Sequence, residues 1–125
     1  MIVSDVLEDF LRWLDDAETD LHINEANEKL ADEETQDILH RLELCEDPYL
    51  IRKKLSDALP GIRQARRVAK DNAELLSPVV QWKEDNPRTL SGLRQLLGEL
   101  RKIERKQANR AYADRTDIVR QILSE

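Results

Sequence analysis

The sequence has few of the residues that interrupt secondary structure or form disulfide cross-links. Its 125 residues include one cysteine, three glycines and four prolines, and only 4% are aromatic. The single cysteine, Cys45, cannot form an internal disulfide, which agrees with a reducing compartment. No alternating apolar pattern of useful length is present, so a β-sheet is not expected. These absences predict an all-α protein, and the length predicts a single domain over residues 1–125.

The chain also lacks a long apolar run and a basic leader. Its first residues, MIVSDVLEDF, carry acid where a secretory leader carries lysine or arginine. No apolar stretch approaches the roughly 20 residues that a membrane-spanning helix needs. The sequence therefore predicts a cytoplasmic protein without membrane contact.

Charged residues are abundant and unevenly distributed. Residues 1–51 contain sixteen acids and three bases, whereas residues 52–125 contain seventeen bases and ten acids. We therefore distinguish an acidic segment, residues 1–51, from a basic segment, residues 52–125. Such segments are expected to attract each other, within the chain or across a dimer, or to serve different partners.

The best-defined helix runs from Ile62 to Trp82. Its apolar residues cover about half of the helical circumference and its charges cover the other half, as expected for one buried face. Ala65, Ala69 and Ala73 leave little bulk along that face, which predicts the close approach of a neighbouring helix.

Two prolines leave the limits of this helix open. Pro78 either kinks it or starts a new helix after Ser77. Pro60 either interrupts the chain before it or kinks one continuous helix.

Capping signals place the helices before this one. Ser4 is the predicted cap of a first helix, and residues 22–31 either continue it weakly or connect it to the next. Asp32 is the predicted cap of a second helix. Asp47 and Pro48 open a third.

The residues from Glu84 to Pro87 form the clearest predicted turn. A leucine repeat follows, and two long amphipathic helices around a short turn predict an antiparallel helical hairpin. With a short last helix in residues 114–125, the prediction is a bundle-like or elongated fold of about five or six helices. Glu104 lies in the apolar arc, so we expect it to pair with Arg101 or with an arginine of the central helix.

Metal ligation has little support. Asp37, His40 and Glu43 share one helix face, but a di-iron bundle site needs two Glu-x-x-His pairs and two further glutamates. The second histidine, His22, has Thr19 where the carboxylate should be. The sequence predicts no metal site and no cofactor.

Carboxylates form Glu-x-x-Glu and Glu-x-x-Asp elements at Glu25, Glu28, Glu34 and Asp37, beside Glu33. In this the chain resembles all-α nucleotide pyrophosphohydrolases, which would imply a metal-dependent nucleotide hydrolase. The two elements lie too close in sequence to come from separate full-length helices, however. No Gly-rich phosphate loop or Ser/His/Asp arrangement appears. The sequence therefore favours a protein without enzymatic activity and shows no evident small-molecule substrate.

Basic residues offer an alternative function. Contacts to phosphate are predicted for Arg63, Arg67, Lys70, Arg101 and Arg105. No helix-turn-helix signature, zinc-finger spacing or interleaved aromatic residue is present to read or stack bases. A match between these bases and the acidic segment is favoured over nucleic-acid binding.

The run ARRVAKDNAELLSPVVQW, followed by LSGLRQLLGELRKIERK, resembles short helical proteins of bacteriophages and prophages of Gram-positive bacteria. The resemblance covers about residues 62–106. It implies a phage-borne accessory protein without an assigned activity, and it transfers no catalytic residue.

Together these features predict a non-enzymatic helical protein–protein interaction module that self-associates or binds a protein partner. Charge complementarity would select the partner. The contact would be carried by Ala65, Ala69, Leu76, Leu90, Leu93, Leu97 and Leu100, unless these residues form an intramolecular core. The alternative is a nucleic-acid-binding regulator whose acidic segment screens the basic helices.

Overall fold

A computed structural model describes residues 2–110 and 114–125 of the chain. Within these ranges it contains no strand and four helices, namely α1 (Val3–Leu44), α2 (Tyr49–Asp85), α3 (Pro87–Ala108) and α4 (Ile118–Ser124). The predicted all-α class is confirmed. The described residues contain fewer than the five or six helices predicted, because several expected breaks do not occur.

The first of these missing breaks lies in α1, which is one helix of 42 residues. Asp32 does not cap a second helix but lies within α1, and residues 22–31 continue the helix that precedes them. Ser4 is not the cap either, since the N-cap position is Ile2 and Ser4 lies in the first turn. Pairing with α2 supplies the burial that stabilises the helix where its own apolar pattern is thin.

The prolines of α2 also fail to end a helix. Pro60 and Pro78 both lie inside α2, which runs without interruption from Tyr49 to Asp85. The predicted start near Pro48 agrees with the structure, where Pro48 occupies the N-cap position. A proline in a helix interior removes one backbone hydrogen bond, and the packing of α2 on α1 compensates for that loss.

α1 and α2 form an antiparallel helical pair. Near their connection, the Arg52 guanidinium donates a hydrogen bond to the backbone oxygen of Leu42 at 3.0 Å. Further along, the Asn72 amide donates to the side-chain oxygen of Asn24 at 3.3 Å. Residue numbers rise along α2 as they fall along α1, so the two helices run in opposite directions.

α3 continues in the direction of α2 instead of reversing it. Arg94 lies 2.9 Å from Asp15, and Glu104 near the end of α3 bonds to Ser4 near the start of α1. The antiparallel hairpin predicted for residues 62–106 is therefore wrong. Only Asn86 separates α2 from α3, and its non-helical backbone, with φ of −128° and ψ of 50°, breaks the helix before the next one starts.

The buried and partly buried positions of α1 and α2 follow the alternating three- and four-residue spacing of a coiled coil. We call these positions the seam. On α2 the seam comprises Leu55, Leu59, Ile62, Arg66, Ala69, Ala73, Leu76, Val80 and Lys83. On α1 it comprises Leu14, Ala17, Leu21, Asn24, Glu28, Ala31, Thr35, Ile38 and Leu42.

All three long helices meet at one end of the seam. Leu11 and Leu14 of α1 pack with Leu90 of α3 in a buried cluster. Val79 of α2 packs against the same cluster, so this layer joins the end of α2 to the beginning of α3. No helix within the described residues is long and apolar enough to cross a membrane.

Candidate interaction surface

The protein exposes far more surface than a compact monomer of its size. Its accessible area is 10302 Å² for 14.6 kDa, whereas size scaling gives about 6,900 Å² for a compact fold of that mass. The excess arises because a layer of two paired helices buries only one side of each. Much apolar surface is left without a partner within the described residues.

A stripe of uncharged residues on α2 makes up part of that surface. Its members occur every three or four residues, and each one directly precedes a seam residue in the sequence. The stripe therefore runs along α2 beside the seam. The exposed fractions of Val68, Leu75 and Trp82 are 59%, 72% and 42%. We call this stripe the apolar flank, and it comprises Gly61, Ala65, Val68, Asn72, Leu75, Val79 and Trp82. Val79 is only partly exposed, because it also packs against the buried cluster.

α1 completes a groove at each end of the apolar flank. At one end a groove of about 490 Å³ lies between Leu30 of α1 and Gly61, Ala65 and Val68 of α2. At the other end a groove of about 330 Å³ is lined by Phe10 and Trp13 of α1 and by Pro78, Val79 and Trp82 of α2. Both tryptophans of the chain therefore lie on this side of the helical pair.

A third apolar groove, of about 590 Å³, lies between the first turns of α1 and the middle of α3. Val3, Val6 and Phe10 line it from α1, and Leu96 and Leu100 line it from α3. These α1 residues are exposed because α1 extends past the end of α2. α3 borders Val3, Val6 and Phe10 without covering them, since they stay 65%, 54% and 43% exposed.

Most of the residues predicted to carry an interface are instead used inside the chain. Ala69 and Leu90 are buried, and Leu76, Leu93, Leu97 and Leu100 are partly buried. Ala65 alone among the predicted set is exposed, and it lies on the apolar flank. Spacing identified the apolar face of α2 but did not reveal that α1 covers only one half of it.

Glu104 does not form the predicted ion pair with an arginine among the described contacts. Its carboxylate accepts hydrogen bonds from the Ser4 backbone N–H at 3.0 Å and from the Ser4 hydroxyl at 2.6 Å. Arg101, the predicted partner one turn away, lies 2.7 Å from Glu8 of α1. The prediction failed because α1 supplies partners for both residues.

Ion pairs connect the acidic segment to the basic segment within the chain. Arg66 lies 3.5 Å from Glu28 and also donates a hydrogen bond to Asp32. Because Arg66 and Glu28 both occupy the seam, they form a charged layer between α1 and α2. Such a layer fixes the alignment of two helices at some expense in stability.

Asp15 connects both basic helices to α1. Its carboxylate lies 3.5 Å from the Lys83 ammonium and 2.9 Å from the Arg94 guanidinium. Glu8, two turns earlier on α1, accepts a hydrogen bond from Arg101. That hydrogen bond, together with the charge of Arg101, lowers the pKa of Glu8.

The predicted phosphate contacts do not share one surface. Arg63, Arg67 and Lys70 line a groove between α1 and α2. Three acids line the same groove, namely Asp32 of α1 and Asp71 and Glu74 of α2. Arg101 and Arg105 belong to α3, which lies along the first turns of α1. The structure therefore separates the basic residues into two groups and places acids beside one of them.

The carboxylates of the predicted nucleotide-hydrolase elements all lie on the single helix α1. Glu28 and Asp32 face Arg66. Among residues 2–110 and 114–125, no group of three or more histidine, cysteine, aspartate or glutamate side chains has an arrangement suited to a metal ion.

Comparison with protein families, curated proteins and solved structures finds no match to this chain. The resemblance to phage and prophage proteins therefore stays a prediction. The sequence analysis did not distinguish the apolar flank from the rest of the apolar face. The pattern that defines it is visible in the sequence, as seven uncharged positions at three- and four-residue spacing from Gly61 to Trp82.

Proposed function

We propose that the protein is a non-enzymatic helical interaction module that self-associates, and that the apolar flank is its docking surface. The main support is the flank itself, an uncharged stripe that spans about 32 Å of α2 at 1.5 Å per residue. Large contiguous apolar surfaces on soluble proteins usually mark interaction sites. The resemblance to phage and prophage accessory proteins supplies a biological setting that belongs to the same proposal.

The chemistry of the flank fits association driven by apolar burial. Complete burial of a fully exposed valine or leucine side chain contributes about 1.5–3 kcal/mol. Val68 and Leu75 are 59% and 72% exposed and Trp82 is 42% exposed, so each has apolar area left to bury. Trp82 has the large amphipathic ring that commonly anchors protein interfaces. Since association costs roughly 4–15 kcal/mol, several such side chains from each partner are needed, which favours reversible binding over an obligate complex.

Light scattering over a range of protein concentrations tests this proposal. We expect the mass to rise from one chain to an oligomer, and the rise to persist at high salt because apolar contacts are not screened. Leu75→Glu should abolish the rise. A protein that remains a monomer at every concentration up to several hundred micromolar would refute self-association.

Leu50→Glu is the matched control for Leu75→Glu. Leu50 is 70% exposed but lies in the first turn of α2, far from the middle of the flank. The control should associate like the wild-type protein. Loss of association in Leu50→Glu alone would move the docking surface to the connection between α1 and α2 and contradict the proposal.

Nucleic-acid binding is the second candidate function. It is supported by Arg63, Arg67 and Lys70, which are exposed and occur along one side of α2. The acids in the same groove weaken this support. DNA titrations at two salt concentrations, with the wild-type protein and an Arg63→Gln, Arg67→Gln, Lys70→Gln variant, test it. Steep salt dependence that the triple variant loses would support this function, and no binding at low salt would exclude it.

A further inference from the structure

We propose that the apolar flank binds a second copy of the same chain in antiparallel orientation, with α2 against α2 and Asn72 at the two-fold axis. This inference rests on the proposed function and specifies the partner and its orientation. The two helical pairs would then form a four-helix arrangement with closed two-fold symmetry.

The order of side-chain sizes along the flank supports the antiparallel orientation. The flank begins with the small residues Gly61 and Ala65 and ends with Val79 and Trp82. When two such stripes run in opposite directions about Asn72, Gly61 meets the partner's Trp82 and Ala65 meets the partner's Val79. Val68 likewise meets Leu75, so the smaller side chain of each pair faces the larger one along the whole contact.

A parallel arrangement lacks this complementarity. Trp82 would then face a second Trp82, and Gly61 would face a second Gly61. The helices would be held apart at one end and leave a gap at the other. Interfaces require packing close to that of protein interiors, so the antiparallel arrangement is the one that the stripe fits.

The groove around Gly61 provides space for the partner's Trp82. A Cβ atom placed on Gly61 meets no atom within 4 Å. The groove of about 490 Å³ there is bordered by Leu30 of α1 and by Ala65 and Val68 of α2, and three polar residues of α1 also line it, namely Asn24, Asn27 and Glu34. An indole ring entering it would contact apolar side chains from both helices, and the symmetric contact would form at the other end.

Asn72 at the centre supplies a polar contact that fixes the alignment. Its amide nitrogen donates to Asn24 at 3.3 Å, and its oxygen accepts no hydrogen bond within the described residues. At a two-fold axis, two Asn72 side chains can exchange hydrogen bonds. A single polar residue in an apolar helical interface commonly sets register and orientation in this way.

The exposed area is large enough for such a dimer. A specific interface of standard size buries about 800 Å² on each partner. The protein exposes 10302 Å², which exceeds the expectation for a compact monomer by about 3,400 Å². A dimer of standard size therefore needs about a quarter of this surplus from each chain, which the flank and its two grooves would have to supply.

Gly61→Leu and Gly92→Leu together test this geometry. Both positions are helical glycines at which an added Cβ would meet no atom within 4 Å, so neither substitution should disturb the isolated chain. We expect Gly61→Leu to weaken dimerisation at least tenfold while its thermal midpoint at low concentration does not fall. Gly92→Leu, which lies on α3 away from the flank, should dimerise normally. Equal dimerisation of both variants would overturn the proposal.

A size exchange provides a second test. Gly61→Trp and Trp82→Gly should each weaken the dimer, the first through a clash and the second through a cavity. Combined in one chain, they restore a large residue opposite a small one, and at least part of the lost affinity should return. Additive losses in the combined variant would contradict the antiparallel pairing.

Cysteine cross-linking locates the axis directly, in a Cys45→Ser background. Asn72→Cys alone should form a disulfide-linked dimer. Gly61→Cys and Trp82→Cys should cross-link when mixed but not separately. If the wild-type protein is dimeric by light scattering but the cysteine variants form none of these cross-links, self-association is retained and the antiparallel geometry is refuted. A protein that is monomeric throughout loses both.

Discussion

The Glu104 carboxylate near the end of α3 accepts two hydrogen bonds from Ser4 in the first turn of α1. The first N–H groups of a helix have no partner within the helix. Ile2, at the N-cap position of α1, contributes no side-chain hydrogen bond. A residue 100 positions later therefore supplies an acceptor for one of these N–H groups and joins the first turn of α1 to α3.

Removal of this cap should destabilise the protein and loosen both helix ends. We expect Glu104→Ala to lower the free energy of unfolding by about 1–3 kcal/mol, because it leaves the partly buried Ser4 groups without an acceptor. Urea unfolding measures the loss, and amide hydrogen exchange should accelerate in the first turn of α1. Glu99→Ala, at an exposed position on α3, is the control. Unchanged exchange in the first turn would contradict the tertiary cap.

Leu90 should hold α3 on the rest of the molecule. It is 4% exposed and packs with Leu11 and Leu14, whereas Leu96 on the same helix is 44% exposed. We expect Leu90→Ala to cost about 2–4 kcal/mol, since a leucine removed from a core loses both burial and packing. Leu96→Ala should cost far less. Similar losses for the two variants in thermal unfolding would mean that α3 is not anchored through Leu90.

The charged layer formed by Arg66 and Glu28 should fix the alignment of α1 with α2 but add little to the free energy of unfolding. Side chains of Arg66 and Glu28 are 39% and 27% exposed, so solvent screens their interaction and a double-mutant cycle should give a coupling of less than about 1 kcal/mol. Replacement of both residues with leucine should raise the unfolding midpoint. The same double variant should lose a unique alignment of α1 on α2, detectable as multiple amide signals per residue in its NMR spectrum. A double variant less stable than the wild-type protein would contradict this expectation.

Acid should weaken the contact between α1 and α3. Arg101 lowers the pKa of Glu8 through its hydrogen bond and its charge, so the folded state favours the ionised carboxylate. The resulting stabilisation is fully present above the ordinary glutamate pKa of about 4.3. It is lost as the pH falls through the lower pKa of the folded state. Carboxyl NMR titration should show Glu8 titrating below its usual range, and Arg101→Gln should return it toward that range.

In the connection between α1 and α2, the pKa of Asp47 should be lowered in the same way as that of Glu8. The hydrogen bond from Arg41 lowers the pKa of this carboxyl, and the guanidinium lies 2.7 Å away. Arg41→Gln should therefore raise the Asp47 pKa. An unchanged Asp47 titration in that variant would show that the pair does not persist in solution.

Several features followed from the sequence because they depend on local periodicity. The all-α class, the amphipathic helix from Ile62 to Trp82 and the helix start near Pro48 needed only helical spacing and proline chemistry. The unequal distribution of acids and bases is likewise a property of composition. Each of these features is decided within a few helical turns.

Other features were decided only by the tertiary structure. A cap signal at Asp32 and a proline at position 60 look like helix boundaries, but pairing along the seam stabilises continuous helices through both. The residues from Glu84 to Pro87 look like a reversal, but the direction of α3 depends on where Leu90 packs. Capping and proline signals predict where a helix is interrupted, but they do not predict the direction of the helix that follows.

The sequence by itself thus determined which parts are helical and which residue types each face carries. The partner of each face was decided by the fold, since an apolar stripe has the same pattern whether it is covered or exposed. α1 is wide enough to cover the seam of α2 but not the adjacent stripe from Gly61 to Trp82. Because α1 covers only the seam, the seam becomes part of the core, and the stripe beside it stays exposed as the proposed docking surface.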